Sequence, residues 1–346
     1  MHGIAARAAL VGLLTLRQLG LGPHVRQVPR SAELAQFWSA PSQVSQLNLF
    51  TGPTEIDSAA PDTTRPFRFV SRKTSGFSPG YDVRDASGRE WSVKLGPEAQ
   101  SEVAVSRLLW AIGYRQPPVY YIDHWTLDGG PAPGLQTGGR FRPKGNSLKS
   151  RGDWSWQHNP FVGTQPYRGL IVAMVLLNST DLRNENNVIY EVTTSGARER
   201  WYVVKDLGAT LGETGIVRPV RDDIDAFESD PLFITDSKGH AKFAYRGLQK
   251  ELLSQVTAED VRWAVAQFDQ LSPRQWLDAF RAAGYSDALA SRFIAVIHAR
   301  LHAADVVEAS FNGARSDYWA NRHLPQAIRA VESVPKAVAA PFKALH

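Results

Sequence analysis

Residues 181–186 read DLRNEN and residues 203–208 read VVKDLG, and these two stretches carry most of the fold prediction. The first lies between an apolar run and a strand-like run, which places Asp181 and Asn186 on one short polar loop. The second ends a strand-like run at Asp206, just before a leucine and a glycine. Carboxylate and amide oxygens are ligands that suit magnesium. The pattern therefore predicts that Asp181, Asn186 and Asp206 face one common space.

Phosphoryl transfer is the chemistry that uses such an arrangement. An aspartate orients the attacking hydroxyl, an asparagine on the same loop binds magnesium, and a second aspartate binds magnesium at the phosphates. By this pattern Asp181 would be the catalytic base, and Arg183 would stabilise the transferred phosphate. Asn186 and Asp206 would bind the metal. Each motif alone is more often structural, because aspartate and asparagine also cap turns, so the prediction depends on their combination.

The N-terminal half supplies further parts in the order that this chemistry requires. Lys94 lies in a strand-like run and Glu102 on the helix that follows, so an ion pair between them would hold the lysine toward nucleotide phosphates. Taken alone, Lys94 also fits an edge-strand residue that favours solubility, and Glu102 an ordinary acid of a first helical turn. Upstream, a glycine-containing hairpin loop would cover the phosphates with backbone amides and a hydroxyl. The predicted phosphate-binding residues of this loop are Gly76, Ser78 and Gly80.

Hydrophobic periodicity predicts strands and one helix in the first part of the chain, and mostly helices in the second. The expected strands are residues 67–70, 81–84, 91–95, 119–122, 140–142, 188–190 and 201–204. The expected helices begin near Pro97, Tyr167, Thr257, Ser272 and Ser286. Residues 128–139 are rich in glycine and proline and predict a loop. These elements indicate an α+β protein, with an antiparallel-sheet N-lobe that holds one long helix and a mainly helical C-lobe.

Several sequence blocks carry a family resemblance: residues 81–85 (YDVRD), 93–96 (VKLG), 106–114 (SRLLWAIGY), 186–190 (NNVIY) and 206–209 (DLGA). The lobes resemble the protein-kinase-like superfamily, nearer its divergent HipA-like and lipid-kinase-like branches than the eukaryotic protein kinases. Serine and threonine precede Asp181 where eukaryotic kinases have His-Arg, and no Ala-Pro-Glu follows Asp206. The blocks, across about residues 37–301, also resemble a family of largely uncharacterised bacterial proteins, many of them exported. The resemblance implies a bilobal protein-kinase-like fold with ATP and Mg as cofactors, and it names no substrate.

The ends of the chain differ in composition from the two lobes. An apolar run at residues 8–16 follows a histidine and an arginine and has the length of a signal-peptide core, too short to span a bilayer. An amphipathic helix or a misassigned start is the alternative. We expect an exported or cell-envelope protein rather than a cytoplasmic one. The expected segments are a signal or anchor at 1–22, an extended arm at 23–65, the N-lobe at 66–145, the C-lobe at 146–310 and a tail at 311–346.

Composition excludes some classes of function. The 346-residue chain contains no cysteine, which rules out disulfides, thiolate nucleophiles and cysteine-bound zinc. Its formal net charge is +5, but no dense block of lysine and arginine occurs, so no nucleic acid partner is expected.

Three other motifs predict less. Gly76, Ser78 and Gly80 match a Gly-x-Ser-x-Gly nucleophile elbow, but proline at position 79 has no amide for an oxyanion and a strand follows. His298 and His302 have metal-ligand spacing without an accompanying His-Glu-x-x-His carboxylate, which favours a surface pair. Residues 154–156 (WSW) could stack a sugar or a base, although packing between lobes is the more common role.

These features predict an ATP- and Mg-dependent phosphotransferase whose acceptor, a protein, a lipid head group or a sugar, the sequence does not identify. The alternative is a catalytically inactive kinase fold that acts as a binding or scaffold protein of the cell envelope. The N-terminus could add a peripheral membrane contact.

Overall fold

A computed structural model describes residues 29–304, except 57–58, 75, 146, 195–196, 236, 238 and 240. The predicted signal or anchor at 1–22, the start of the predicted arm and the predicted tail at 311–346 lie outside the described residues. Among the described helices, none is both long and apolar enough to cross a membrane.

The first half of the described chain forms one seven-stranded sheet. Its strands are β1 (Phe67–Arg72), β2 (Gly80–Arg84), β3 (Glu90–Lys94), β4 (Tyr120–Tyr121), β5 (His124–Asp128), β6 (Gly134–Thr137) and β7 (Arg140–Lys144). The strand order is β4-β7-β3-β2-β1-β5-β6, and every pairing is antiparallel except that of β1 with β5. The antiparallel β1–β2 and β2–β3 pairs confirm the expected hairpins.

The prediction of a loop at residues 128–139 is wrong in part. Residues 134–137 form β6, which pairs with β5 at the outer edge of the sheet. Two adjacent residues of the connection between these strands, Gly129 and Gly130, have positive φ angles near 78°, a conformation that glycine adopts without strain. The glycines therefore lie in a short loop of residues 129–133 between two strands rather than in a long irregular segment.

The two faces of this sheet have opposite character. Phe67, Val83, Trp91, Val93 and Phe141 point to one side and are fully buried in an aromatic cluster. Because side chains alternate along a strand, the residues between them face the other side, toward the second half of the protein. That side carries Lys94.

One long helix packs between the sheet and the second half of the protein. Helix α2 (Glu98–Ala111) is buried along almost its whole length, because the sheet lies on one side and the second half on the other. It ends before Gly113, whose φ of 99° suits a glycine after a helix C-terminus. A Cβ atom at Gly113 would lie 2.3 Å from the backbone oxygen of Ser39, so glycine also allows the preceding arm to approach.

The second half is mainly helical, as predicted. Its helices are α3 (Gln165–Leu176), α4 (Ile224–Ser229), α5 (Ala258–Phe268), α6 (Pro273–Arg281) and α7 (Asp287–His302). Its strands are β8 (Leu148–Ser150), β9 (Asn187–Thr194), β10 (Ala197–Val204), β11 (Phe233–Thr235) and β12 (Ala241–Phe243), of which β8, β11 and β12 are not predicted from the sequence. The side chains of Thr257, Ser272 and Ser286 cap the last three helices, as the sequence indicates.

The arm before the sheet contains a short helix, α1 (Ser31–Leu34), and a 3-10 turn at Val44–Gln46. Phe37 and Leu49 are buried in the main core, so this segment belongs to the folded body. The tryptophans of residues 154–156 are also buried there, at 3% and 0% exposure. A stacking role for them toward a sugar or a base is therefore wrong in this conformation, because their rings are covered by protein.

Candidate active site

Lys94 is the centre of a buried cluster of charges between the two lobes. Its Nζ lies 2.8 Å from Oε2 of Glu102, 2.7 Å from Oδ1 of Asp206 and 3.3 Å from Oε2 of Glu98. Burial alone would lower the pKa of Lys94, but Glu102 and Asp206 raise it above its ordinary value. The lysine is therefore a fixed positive charge. The expected ion pair between Lys94 and Glu102 is present, and Lys94 forms a second ion pair with Asp206.

Glu102 anchors this cluster from helix α2. Its side chain is 1% exposed, and its Oε1 lies 2.8 Å from Nε of Arg140 and also pairs with Arg142. Burial would raise the pKa of Glu102, but Arg140, Lys94 and Arg142 hold it below its ordinary value. An acid surrounded by cations stays ionised and fixes the position of each one.

Asp206 and Asn186, the two predicted magnesium ligands, are neighbours through their backbones. The carbonyl oxygen of Asn186 accepts hydrogen bonds from the amides of Lys205 at 2.8 Å and of Asp206 at 3.0 Å. The amide group of the Asn186 side chain donates to the backbone oxygen of Asp181 at 2.8 Å. This bond occupies its nitrogen and leaves the side-chain oxygen for another partner. The structure thus brings the three residues of the two short stretches together.

The oxygens at this point fit a magnesium ion. Burial would raise the pKa of Asp206, but Lys94 and the backbone amide of Gly208 lower it, so its carboxylate is ionised. Magnesium commonly takes one or two protein oxygens and completes its shell with water and phosphate oxygens. Asp206 and Asn186 supply that number. Among the described residues, no group of three or more His, Asp or Glu side chains forms an all-protein metal site.

Asp181, the predicted base, lies at the outer side of the same loop. Its Oδ1 is 2.9 Å from Nε of Arg183, and the two side chains are 23% and 60% exposed. The loop is held from behind, because the amide of Thr180 donates to the backbone oxygen of Ala209 at 3.0 Å. The side chains of Asp181 and Arg183 are both more exposed than that of Lys94, which is 11% exposed, although Oδ1 of Asp181 itself is buried.

The predicted phosphate loop lies next to Glu98. The hydroxyl of Ser78 donates to Oε2 of Glu98 at 2.8 Å, and Arg221, from the segment after Asp206, pairs with the other oxygen of Glu98. The guanidinium of Arg221 lies 4.2 Å from the ring centroid of Phe77, a loop residue that is otherwise exposed.

The glycines of this loop have different roles. Gly76 has a φ of 99°, which favours glycine, and nothing lies within 4 Å of its missing side chain. Gly80 lies in β2, where a Cβ atom would come within 2.4 Å of the backbone oxygen of Val93. Gly76 therefore contributes loop shape, whereas Gly80 contributes close strand pairing.

Sequence reasoning did not single out four charged residues of the cluster. Arg140 and Arg142 flank the buried Phe141, so period-two alternation could have placed both on the Lys94 face, but the pairing register of β7 with β3 is not visible in one sequence. Glu98 begins helix α2, and Lys73 follows β1 and donates to the hydroxyl of Ser92. The direction of each side chain depends on tertiary contacts.

Two other features lie apart from the cluster. His298 packs against the ring of Trp276 at 5.0 Å, and the described residues around it include no metal group. A cavity of about 440 Å³ lies behind the C-terminal end of α2, where Glu55, Trp110 and Trp201 contribute to its lining. None of the predicted site residues lines this cavity.

No protein-family model matches the sequence, and no curated protein matches it. Among solved structures, the chain is similar to the proinflammatory kinase CtkA of Helicobacter pylori, with 9% sequence identity and a TM-score of 0.45 over 72% of this chain and 97% of that chain. It is also similar to a Golgi casein kinase, with 10% identity and a TM-score of 0.38 over 87% of this chain and 84% of that chain. Both similarities are too distant to carry an argument about activity.

The arrangement of this chain's own strands, helices and charged residues is that of a protein-kinase-like fold. A strand lysine, a helix glutamate and an Asp-Leu-Gly aspartate meet in one ion-pair cluster between a sheet lobe and a helical lobe. The Asp181–Asn186 loop lies directly beside them.

Proposed function

We propose that this protein is an ATP- and Mg-dependent phosphotransferase. The observation that carries the proposal is the contact of Lys94 with both Glu102 and Asp206, at 2.8 and 2.7 Å. A lysine held by a helix glutamate, next to an aspartate that can bind metal, is the arrangement that positions nucleotide phosphates in kinases. The placement near the HipA-like and lipid-kinase-like branches stays a prediction.

Each residue of the cluster has a defined part in this proposal. Lys94 would bind the nucleotide phosphates, and Glu102 would keep its ammonium group in place. Asp206 and Asn186 would hold magnesium, which when bound neutralises the charge of the phosphates.

Residues at the outer side of the cleft would receive the acceptor. Asp181 would accept the proton of the acceptor hydroxyl, and Arg183, which is 60% exposed, is free to turn toward the transferred group. The backbone amides and the Ser78 hydroxyl of the loop before β2 would cover the phosphates once that hydroxyl leaves Glu98. A protein, a lipid head group or a sugar fits this open side equally well.

Titration calorimetry of the full chain with ATP tests the proposal, with and without Mg. We expect Mg-dependent binding in the wild type and in Asp181→Ala, and its loss in Asp206→Ala, because Asp206 would provide the one charged metal oxygen and Asp181 would provide none. Asp225→Ala is the matched control, since that side chain is 83% exposed on α4. Absence of nucleotide binding with either Mg or Mn would overturn the enzyme proposal. That result would support the alternative, an inactive kinase-fold scaffold of the cell envelope.

The acceptor step needs a second measurement. Phosphate transfer, followed with labelled ATP, should stop in Asp181→Ala while nucleotide binding persists. Transfer that survives this substitution would show that another residue is the base.

A further inference from the structure

The sheet face that carries Lys94, here called the upper wall of the candidate site, is polar throughout its central strands. Lys94 faces Gly80 of β2 and Arg140 of β7, and Ser92 faces Asp82 and Arg142 in the same register. The next positions along this face are again charged: Arg84, Glu90 and Lys144. All large apolar side chains of β2, β3 and β7 point to the opposite side, into the aromatic cluster.

This distribution bears on how a nucleotide would be held. Binding pockets for small molecules are lined mostly by apolar side chains, and burial of a flat base between two apolar walls is a large part of nucleotide affinity. With phosphates at Lys94 and Asp206, a base lying along the sheet would meet Ser92 and its charged neighbours instead. The upper wall therefore offers a base little apolar contact.

The same wall is well suited to phosphate oxygens. Lys73, at the end of β1, extends over this face and donates to the hydroxyl of Ser92. Arg142 is buried, and its Nε has no hydrogen-bond partner among the described residues. Guanidinium and ammonium groups form strong, charge-assisted hydrogen bonds with phosphate.

Lys73 also shows that positive charge is crowded here. Burial, together with Arg140 and Arg142, lowers the pKa of Lys73 to about 7, although Asp82 and Glu102 oppose this change. An anion beside Lys73 would relieve this repulsion.

We propose that the cleft selects its donor by the phosphate chain and gains little from the base, so that ATP, GTP and inorganic tripolyphosphate bind as Mg complexes with similar affinity. The proposal rests on the phosphotransferase function and specifies its donor class: polyphosphate compounds whatever their base. Lys73 and Arg142 would contact the chain beyond the phosphates that Lys94 holds.

Titration calorimetry of the wild-type full chain with these three compounds, and with adenosine, tests whether the base contributes to affinity. We expect the three affinities to agree within about threefold and adenosine to bind far more weakly, since an apolar base site would separate ATP from tripolyphosphate by at least about 30-fold. An ATP preference of that size, or clear discrimination against GTP, would overturn the inference and leave the phosphotransferase standing. Absence of binding by all three would overturn both, and binding of tripolyphosphate without ATP would overturn the equal affinities together with the use of ATP as donor.

A variant of Lys73 tests the proposed contact directly. Lys73→Met should weaken ATP and tripolyphosphate by the same factor, roughly tenfold or more for one charged hydrogen bond. Arg274→Met is the control, because Arg274 is 88% exposed on α6. An unchanged affinity for both compounds in Lys73→Met would contradict the contact.

The pH dependence of binding gives a readout that a purely structural role would not produce. A bound phosphate favours the protonated lysine, so wild-type affinity should fall as pH rises from 7 to 9, above the pKa of about 7 of Lys73 in the free protein. This fall should be absent in Lys73→Met. The groups facing Lys73 are Asp82, Ser92, Glu102, Arg140 and Arg142.

Discussion

The candidate site has two ends, one around Lys94 and one around Asp181, and they differ in how firmly contacts hold their charged residues. At the Lys94 end, Glu102 is 1% exposed and Lys94 is 11% exposed, and each has several oppositely charged partners. At the Asp181 end, a single ion pair joins Asp181 to Arg183, whose side chain is 60% exposed.

The difference shows which part of the site is preorganised. Groups that must bind phosphate and metal gain from a fixed geometry, because no reorganisation is then needed during the reaction. Groups that receive an acceptor must leave room for it to enter. In the proposed function, the buried end would determine where the donor lies, and the open end would set few limits on the acceptor.

Removal of Glu102 should produce the largest effect. Glu102→Ala leaves Lys94, Arg140 and Arg142 buried without their shared acid, which costs about 3 to 5 kcal/mol of unfolding free energy when a buried ion pair is broken. Urea unfolding followed by circular dichroism measures this loss. The matched control is Glu90→Ala, which breaks the surface pair with Arg84 and should cost about 1 kcal/mol or less. Equal losses in the two variants would refute the assignment of Glu102 to a firmly held end of the site.

The Lys94 end was only partly predictable from the sequence. Lys94, Glu102 and Asp206 could be found because each follows a recognisable local pattern, a strand, a helix or a strand end. Arg140 and Arg142 contribute as much to the cluster, but their position depends on the pairing of β7 with β3. Strand register is a tertiary property, and one sequence without an alignment does not show it.

The same limit applies to the fold. Strands with alternating apolar residues and helices with capping residues were predicted well, including β3, α2 and the three capped helices near the end. Strands β5, β6, β8, β11 and β12 were missed. A glycine- and proline-rich stretch conceals β6, and the three-residue strands β8, β11 and β12 give no measurable period and form only when a partner is present.

Asp222, in the segment that follows Asp206, is also held by hydrogen bonds. The amide of Asp222 donates to the backbone oxygen of Thr210 at 3.1 Å, and its carboxyl accepts a hydrogen bond from the hydroxyl of Tyr285. Burial, together with the charge of Asp223, raises the pKa of Asp222 to about 7, although the hydrogen bond from Tyr285 opposes this rise. The folded state therefore keeps a proton that the unfolded chain releases near pH 3.8.

This proton makes stability depend on pH in a definite direction. The contribution of Asp222 is complete below about pH 4 and is lost as pH rises to about 7, because the folded state binds more protons across that range. Asp222→Asn should remove this fall, so its melting temperature should exceed that of the wild type most clearly above pH 7. Thermal unfolding of both proteins from pH 4 to 8 measures the difference. Parallel curves would mean that Asp222 titrates as an ordinary exposed acid.

Arg183 should give the smallest change in stability and so marks the open end. The Arg183 side chain is 60% exposed, and ion pairs with an exposed partner contribute between 0 and about 1 kcal/mol, so Arg183→Ala should lower the unfolding free energy by about 1 kcal/mol or less. Nucleotide affinity should also persist, because Lys94 and Asp206 are untouched. Phosphate transfer should nevertheless fall, since the charge that would stabilise the transferred group is gone. A variant that loses stability instead of transfer would show that Arg183 supports the loop rather than the acceptor.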